Sequence, residues 1–385
     1  MRIIVIGGGS IGAHVAYRLQ QQGAEVTLVE AGHPGRGTSA SSVAWLSEFP
    51  QMSWTEEPGK AALRPRVHRL FHELADEVPA VADHVHWTGT LLWGTPEERQ
   101  GYLDGAAIVA DRGVKLDVID GRTAMALEPS IRMDPDEVVF SEPGSAWVDG
   151  PGIVAALLGA FERAGGTVVP NARVVELPVA DGQVRGVRLE GGALLEADAV
   201  VNAAGSWGSH VAALAGLAIP LDLVPGRIIY TQPFSDMDAP SRIINAPEWC
   251  GRPDPSGGFA IHWRGGPQEP GHGGNIQDAQ ELIDEVAKTI PSLRGTAPMR
   301  TSIGIRPIPP NGPIVGSLPW LDNLYFTVSH GGIGWAPMWG WMAAREILGG
   351  ETVPELSAMR PERFYLETSA LGRHADDAEQ LTPVS

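Results

Sequence analysis

The chain has 385 residues, too long for one ordinary core, so two domains or one large α/β unit with an added layer are expected. Apolar residues make up 43% and charged residues 19%, with no uninterrupted apolar run of about 18 residues, which excludes a disordered chain and a membrane span. Lys and Arg total 28 against 46 Asp and Glu, and the resulting net charge of −18 opposes binding to nucleic acid or anionic membranes.

Met1 to Leu19 is apolar enough to resemble a signal peptide, but Gly7, Gly8, Gly9 and Gly12 interrupt it, so it reads as part of the fold. Arg2 to Ile6 is a buried strand; Ile11, Val15, Ala16 and Leu19 recur at helical spacing; Gly23 closes that helix, and Glu25 to Glu30 forms a second strand. Together they make a βαβ unit. From 46 to 145 the pattern loosens, with one helix at Arg66 to Glu77. Pro151 opens a helix through Arg163, followed by strands at Thr167 to Val169 and Arg173 to Leu177. A hairpin over Gln183 to Leu195 turns at Gly191-Gly192 and leads to a strand at Ala197 to Asn202. Strands follow at Arg227 to Gln232 and Gly258 to Trp263, then an amphipathic helix at Ile276 to Ile290. The last elements are a strand at Leu324 to Val328 and a helix at Ala336 to Leu348, and beyond about Tyr365 a polar tail is expected. There is one cysteine, Cys250, and no Asn-x-Ser/Thr acceptor, so nothing points to secretion and the cytoplasm is the expected location.

Gly7-x-Gly9-x-x-Gly12 lies between a strand and a helix, with Glu30 ending the next strand, which is the full dinucleotide-binding context. Gly7 permits the tight turn. Gly9 lets the N–H groups where Ser10 and Ile11 open the helix approach a pyrophosphate, and Gly12 allows close helix–strand packing. Glu30 accepts from both ribose hydroxyls and disfavours a 2′-phosphate. Gly8-x-Ser10-x-Gly12 also fits a hydrolase nucleophile elbow, but no earlier strand exists to supply an oxyanion loop. His68 and His72 stand at metal-ligand spacing near Asp83, His84 and His86; without HExxH or CxxC, they read as ordinary histidines and no metal is expected.

Five segments occur in order: GGGSIG with Glu30, GTSASSVAWL at 37–46, ADAVVNAAGSW at 197–207, GIRPIPPNGPIVG at 304–316 and VSHGGIGWAP at 328–337. In this arrangement the chain resembles the FAD-dependent D-amino acid oxidase superfamily, most closely its glycine oxidase and sarcosine oxidase branch. The resemblance covers roughly half the chain and is weak across 46–145 and 230–300.

It implies an α/β fold. A discontinuous Rossmann-like FAD domain would span 1–45, 146–225 and 300–365, and a mixed-sheet substrate domain 46–145 and 226–299. Glu30, with Ala31 beside it, would hold the adenosine ribose. Ser39, Ser41, Ser42, Val43 and Ala44 would line the pyrophosphate and flavin edge, and Val174 would face the adenine. Ala203, Ala204, Gly205 and Trp207 would close the ribityl side. His330, Gly331, Gly332, Ile333 and Gly334 would bring N–H groups to the flavin pyrimidine. Arg306 would pair with a substrate carboxylate. Gly304 and Ile305 occupy the region where sarcosine oxidases carry an attachment cysteine, so noncovalent FAD is expected.

The implied reaction is oxidation of the C–N bond of a carboxylate-bearing amine or amino acid to an imine, with hydride passing to flavin N5. Oxygen is the expected acceptor, giving hydrogen peroxide. His262 and Tyr230 are the candidate bases, and His262 or Arg264 would supply positive charge near the acceptor. Trp45, Phe49, Met52 and Trp54, with Trp263, are candidates for an apolar substrate wall. The alternatives are a dehydrogenase of an amino or 2-hydroxy acid passing electrons to a quinone or protein, and a subunit whose FAD is structural. A nicotinamide enzyme fits less well, as does an aromatic hydroxylase, which expects Gly-Asp where this chain has Val328-Ser329.

Overall fold

The computed structural model describes residues 1–49, 58–111, 113–235, 239–264 and 276–365. Met52, Trp54 and the tail beyond Tyr365 lie outside the described residues.

The opening strand, Arg2–Ile6, is β-branched and buried after its first residue, as suits a central strand covered on both faces. It pairs in parallel with Glu25–Val29 on one side and Ala199–Asn202 on the other. Thr167–Val169 and Leu321–Val328 extend this parallel sheet outward, and antiparallel Ile314–Leu318 closes it as the sixth strand. The helix Ser10–Gln21 crosses from the first strand to the second and packs between the helices Gly150–Arg163 and Ala336–Gly349. Its contact with the latter needs Gly340, where a Cβ would lie 2.7 Å from the His14 carbonyl oxygen.

A second sheet has eight strands. Pro298–Ile308 lies at one edge, followed by Asp222–Thr231, Phe259–Trp263, Trp249–Pro253, Ile243–Asn245, Thr90–Leu92, Val138–Glu142 and Asp117–Asp120. All neighbours are antiparallel except Ile243–Asn245 with Thr90–Leu92. The helix Ile276–Thr289 covers one face, seating Ala279, Leu282, Ile283 and Val286 against Ile229, Ile244, Phe259 and Ile261. The opposite face carries Ile228, Tyr230 and Ala260 against Val43, and Ile243 and Cys250 against Trp45 and Trp147. Side-chain alternation thus divides the sheet into a helix-covered face and a face turned to the segment around Val43 and Trp45.

The described boundaries mostly follow the sequence reading; the exceptions have physical causes. The helix Pro96–Ala110, in the loose 46–145 stretch, buries only Tyr102, Gly105 and Val109, so it has little amphipathic signal. A Thr95–Glu98 capping box with Pro at the helix start marks it in the sequence. Gln183–Val184 separates from the expected hairpin and joins a small ribbon with Val179–Ala180, while Gly186–Leu189 pairs with Leu194–Glu196. The strand Pro298–Ile308 has prolines near both ends, which hides it, yet an edge strand tolerates them. It pairs with Asp222–Thr231 across ten positions, and both strands run through the expected domain boundaries near 225 and 300.

Candidate active site

The strand ends and connecting loops of the parallel sheet enclose, with the near face of the large sheet, a cavity of about 700 Å³. Such a site at the carboxyl ends of parallel strands is where open α/β sheets bind ligands. Its floor is the Gly7–Gly12 turn. Gly7 has φ +108°, and a Cβ there would lie 2.5 Å from Ala203 O; at Gly12 a Cβ would lie 1.8 Å from Gly7 O. Gly9 differs: the nearest protein atom to a Cβ would be Ser39 Oγ at 3.5 Å, so its open side is cavity. Glu30 Oε2 accepts the Gly8 N–H at 2.8 Å and Oε1 accepts the Gly32 N–H at 2.8 Å, which orients the carboxylate at the cavity wall.

The segment 38–44 runs along the cavity and is anchored from three sides. Tyr230 Oη donates to Ala40 O at 3.2 Å. Buried Arg252 donates through Nε to Val43 O at 3.0 Å and through Nη2 to Ser42 O at 3.4 Å, with its guanidinium 4.6 Å over the Trp147 ring. Thr38 Oγ1 donates to Ile305 O at 2.7 Å, and Ser206 Oγ donates to the same carbonyl. These clamps hold Ala44 at φ +53°, a left-handed geometry that a non-glycine residue keeps only under such constraint. Gly304 completes the approach: a Cβ there would lie 2.8 Å from Ser41 O.

Immediately after Ile305, Arg306 enters the cavity wall half-buried. Its side chain crosses the neighbouring strand above Gly226, where a Cβ would lie 3.3 Å from Arg306 Nε. Its contacts there are long ones, Nε to Val224 O and Nη2 to Pro225 O, both at 3.4 Å. Among the described residues it has no carboxylate partner, and burial lowers its pKa from the usual value. His262, on the next strand, also lines the cavity. Its Nδ1 lies 3.1 Å from Arg227 O, so Nδ1 carries the proton and Nε2 is the free acceptor of the neutral ring. Burial, with Arg306 and Arg264 nearby, holds its pKa below the ordinary histidine value against the Arg227 bond. At His330, burial together with the Arg306 and Lys60 cations pushes the pKa down to about 4.

Every cofactor-side residue expected from the sequence lines this cavity except Gly12, which packs beneath it: Gly7, Gly9, Ser10, Ile11, Glu30, Ala31, Ser39, Ser41–Ala44, Val174, Ala203–Gly205, Trp207, Arg306 and His330–Gly334. The glycines before the helix Ala336–Gly349 turn backbone toward the cavity at the positive end of that helix, with Gly331 at φ +71°. Trp45 lines the cavity as well. Among the described residues, the substrate-side candidates other than Trp45, His262 and Arg306 do not. Tyr230 is buried beneath Arg300, whose guanidinium lies 3.2 Å from the ring centroid, and its hydroxyl serves Ala40, so it is an anchor and not a base. Phe49 stacks on Phe140 in a separate core. Trp263 packs on the helix side of the large sheet, because its alternation places it opposite His262. Arg264 donates to Asn245 Oδ1 and Ala246 O, away from the cavity.

Sequence reasoning missed Thr38, Ser206 and Arg252, which shape the site through carbonyls, and Ser47, Arg64 and His68, which line it. Carbonyl partners leave no motif; only the apolar period of Leu63, Val67, Leu70 and Leu74 could have shown a helix turning Arg64 and His68 to one side. The spaced histidines take other contacts: His68 and His72 both pack on the Trp87 ring, and His84 approaches Asp149. Among the described residues no group of three or more His, Cys, Asp or Glu is placed to hold a metal ion, and no helix is long and apolar enough to cross a membrane.

Comparison with known proteins decides the family. The profile of the family described as DAO, FAD dependent oxidoreductase, matches residues 2–346. The chain belongs to this family of FAD dependent oxidoreductases. It is 24% identical to glycine oxidase of Pseudomonas putida, covering 94% of this chain and 98% of that one. It is 28% identical to D-amino acid dehydrogenase of Cereibacter sphaeroides, covering 100% and 99%. The crystal structure of glycine oxidase from Geobacillus kaustophilus superimposes with a TM-score of 0.81 at 21% identity, over 94% of this chain and 99% of that one, and shows the same fold. The residues present fit FAD: glycines bare one wall to the cavity, an oriented carboxylate stands at the second strand, and a helix start faces the far end.

Proposed function

We propose that this FAD dependent oxidoreductase oxidises the C–N bond of a carboxylate-bearing amine, an amino acid or N-substituted glycine. The observation that carries this reading is Arg306, half-buried in the cavity wall with no acidic partner among the described residues. A desolvated guanidinium without a counter-ion calls for an anionic ligand, and its planar fork suits a carboxylate. The glycine oxidase and D-amino acid dehydrogenase relatives support an amino acid as that ligand.

In this reading Glu30 holds the adenosine ribose, the amides around Gly9 to Ile11 face the pyrophosphate, and the segment 39–44 borders the flavin edge. The loop His330–Gly334 donates backbone N–H groups at the pyrimidine end. Bound FAD supplies the hydride acceptor. Arg306 fixes the carboxylate and so the orientation of the α-carbon. His262, neutral with Nε2 free, takes the ammonium proton and leaves the neutral amine that can lose hydride. The fold divides into an FAD domain near 1–45, 146–225 and 300–365 and a substrate domain near 46–145 and 226–299, with the paired strands Asp222–Thr231 and Pro298–Ile308 both on the substrate side and the second carrying Arg306 to the cavity. The proposed FAD is noncovalent, a reading supported by the one cysteine, Cys250, which is buried against Trp147 and Ile243 and does not line the cavity.

Oxygen is the proposed acceptor, with a dehydrogenase using a quinone or protein as the second reading, which the D-amino acid dehydrogenase relative favours. Peroxide release measured against dye reduction, on the same amino acid under air and under argon, tests the choice. Stoichiometric peroxide supports an oxidase; turnover with dye alone supports the second reading.

A further inference from the structure

Beside the flavin-edge segment, Glu142 ends the strand Val138–Glu142 almost fully buried, 3% exposed, with no basic group in ion-pair contact among the described residues. Its Oε1 accepts the Glu48 N–H at 2.7 Å, and its Oε2 lies 2.6 Å from Ser47 Oγ. Ser47 Oγ also accepts the Phe49 N–H at 2.9 Å and lies 3.0 Å from Phe49 O. The hydroxyl has one proton and faces two acceptors. When Glu142 is protonated, Oε2–H donates to Ser47 Oγ and the hydroxyl proton goes to Phe49 O. When Glu142 is ionised, the hydroxyl turns to Oε2 and leaves Phe49 O. Ser47 lines the cavity after Trp45 and Leu46, and its carbonyl accepts from Nη1 of Arg64, another lining residue, at 2.9 Å.

We propose that Glu142 is a positioning residue whose proton decides where the Ser47 hydroxyl points, and thereby how the 45–49 wall is held against the cavity as pH changes. The charged groups facing it are few. Glu48, from the wall segment itself, opposes ionisation, and Arg64, from the helix Pro58–Glu77, favours it. His68, on the same helix, stands 3.9 Å from Glu48 and is held neutral near pH 7 by burial, its pKa pushed down to about 4. Across the strand pair, Thr90 stands opposite and spends its hydroxyl on Ser145 at 2.6 Å. Burial outweighs the Ser47 and Glu48 hydrogen bonds and lifts the Glu142 carboxyl up to about 7, so the exchange falls in the neutral range.

The test uses the FAD-loaded protein without substrate, so it stands or falls independently of the amine oxidation proposed above. The protonated-carboxyl stretch is followed by infrared difference spectroscopy from about pH 5 to about pH 9, alongside amide hydrogen exchange of residues 45–49 corrected for its intrinsic pH dependence. The proposal expects the band to vanish, and the exchange of 45–49 to change, with one shared midpoint. Glu142→Gln, which keeps a donor toward Ser47, should abolish both transitions. Ser47→Ala should leave the carboxyl titrating but free the 45–49 exchange from pH, and it decides the matter if Glu142→Gln does not fold. An exchange transition that survives in either variant, or a wild-type carboxyl that titrates with no change in 45–49, overturns the proposal.

Discussion

The Gly8 amide donates to Glu30 Oε2 at 2.8 Å, joining the glycine turn after the first strand to the carboxylate after the second. Gly32 holds the other oxygen from the opposite side at the same distance. The carboxylate is thus fixed at the cavity wall by the fold itself, and each oxygen keeps a lone pair for a further donor.

Glu30→Ala should weaken FAD binding by about 1–3 kcal/mol, the range for hydrogen bonds to a charged group, while the fold survives. Flavin release on dilution, followed by fluorescence, measures the change. Equal occupancy in variant and parent would place the ribose elsewhere.

The glycines of the turn should separate by role. Gly12→Ala drives a methyl to 1.8 Å from Gly7 O and should cost more than about 3 kcal/mol of stability, seen as loss of soluble protein or a large fall in thermal midpoint. Gly9→Ala meets only Ser39 Oγ at 3.5 Å and should leave the apoprotein midpoint unchanged while FAD affinity falls. Unaltered affinity in Gly9→Ala would show that the pyrophosphate does not pass this turn.

Arg306→Ala should keep its flavin and lose about 2–5 kcal/mol of transition-state stabilisation, roughly thirty-fold to several-thousand-fold in kcat/KM on the amino acid substrate. A decarboxylated analogue should be nearly indifferent to the change. Equal losses on both compounds would make Arg306 a residue that orders the loop.

His262 should shape the acid limb of the rate profile. Its neutral form is the base, and its pKa lies below the ordinary 6.5, so kcat/KM should be level near neutral pH and fall as pH drops through that lower value. His262→Gln should lose that limb along with about a hundred-fold or more of rate. An unchanged limb in the variant would assign it to another group on the enzyme.

Glu142 has a folded pKa of about 7, above the ordinary 4.5. The folded state therefore binds the proton more tightly, and stability declines as pH rises from about 4.5 through about 7, by about 3 kcal/mol in all. Denaturant titrations of wild type and Glu142→Gln should diverge over this window and run parallel below it. A wild type that gains stability relative to the variant as pH rises would contradict the assignment.

How much of this was legible follows from the type of signal. The βαβ unit and its glycines are local, each required by a turn or a contact within about 30 residues, and the residues expected on the cofactor side come together along one cavity. The substrate side is built by long-range pairing. Arg306 meets Val224 and Gly226 only because the edge strand Pro298–Ile308 pairs with Asp222–Thr231, which brings together residues 80 or more positions apart. Whether His262 or Trp263 faces the cavity depends on strand register, which sequence left undecided. Tyr230 serves a backbone carbonyl, so its chemistry suggested a base where the structure shows an anchor, and Arg252, which no motif marked, serves two more.

Anaerobic mixing of the purified yellow protein with glycine, N-substituted glycines and the D- and L-amino acids, followed by flavin absorbance, tests the central claim most directly. The account predicts that at least one carboxylate-bearing amine bleaches the flavin within the turnover time, that its decarboxylated counterpart does not, and that Arg306→Ala abolishes the bleaching while retaining FAD. A flavin that stays oxidised with every amine, or that is reduced by 2-hydroxy acids alone, would contradict it.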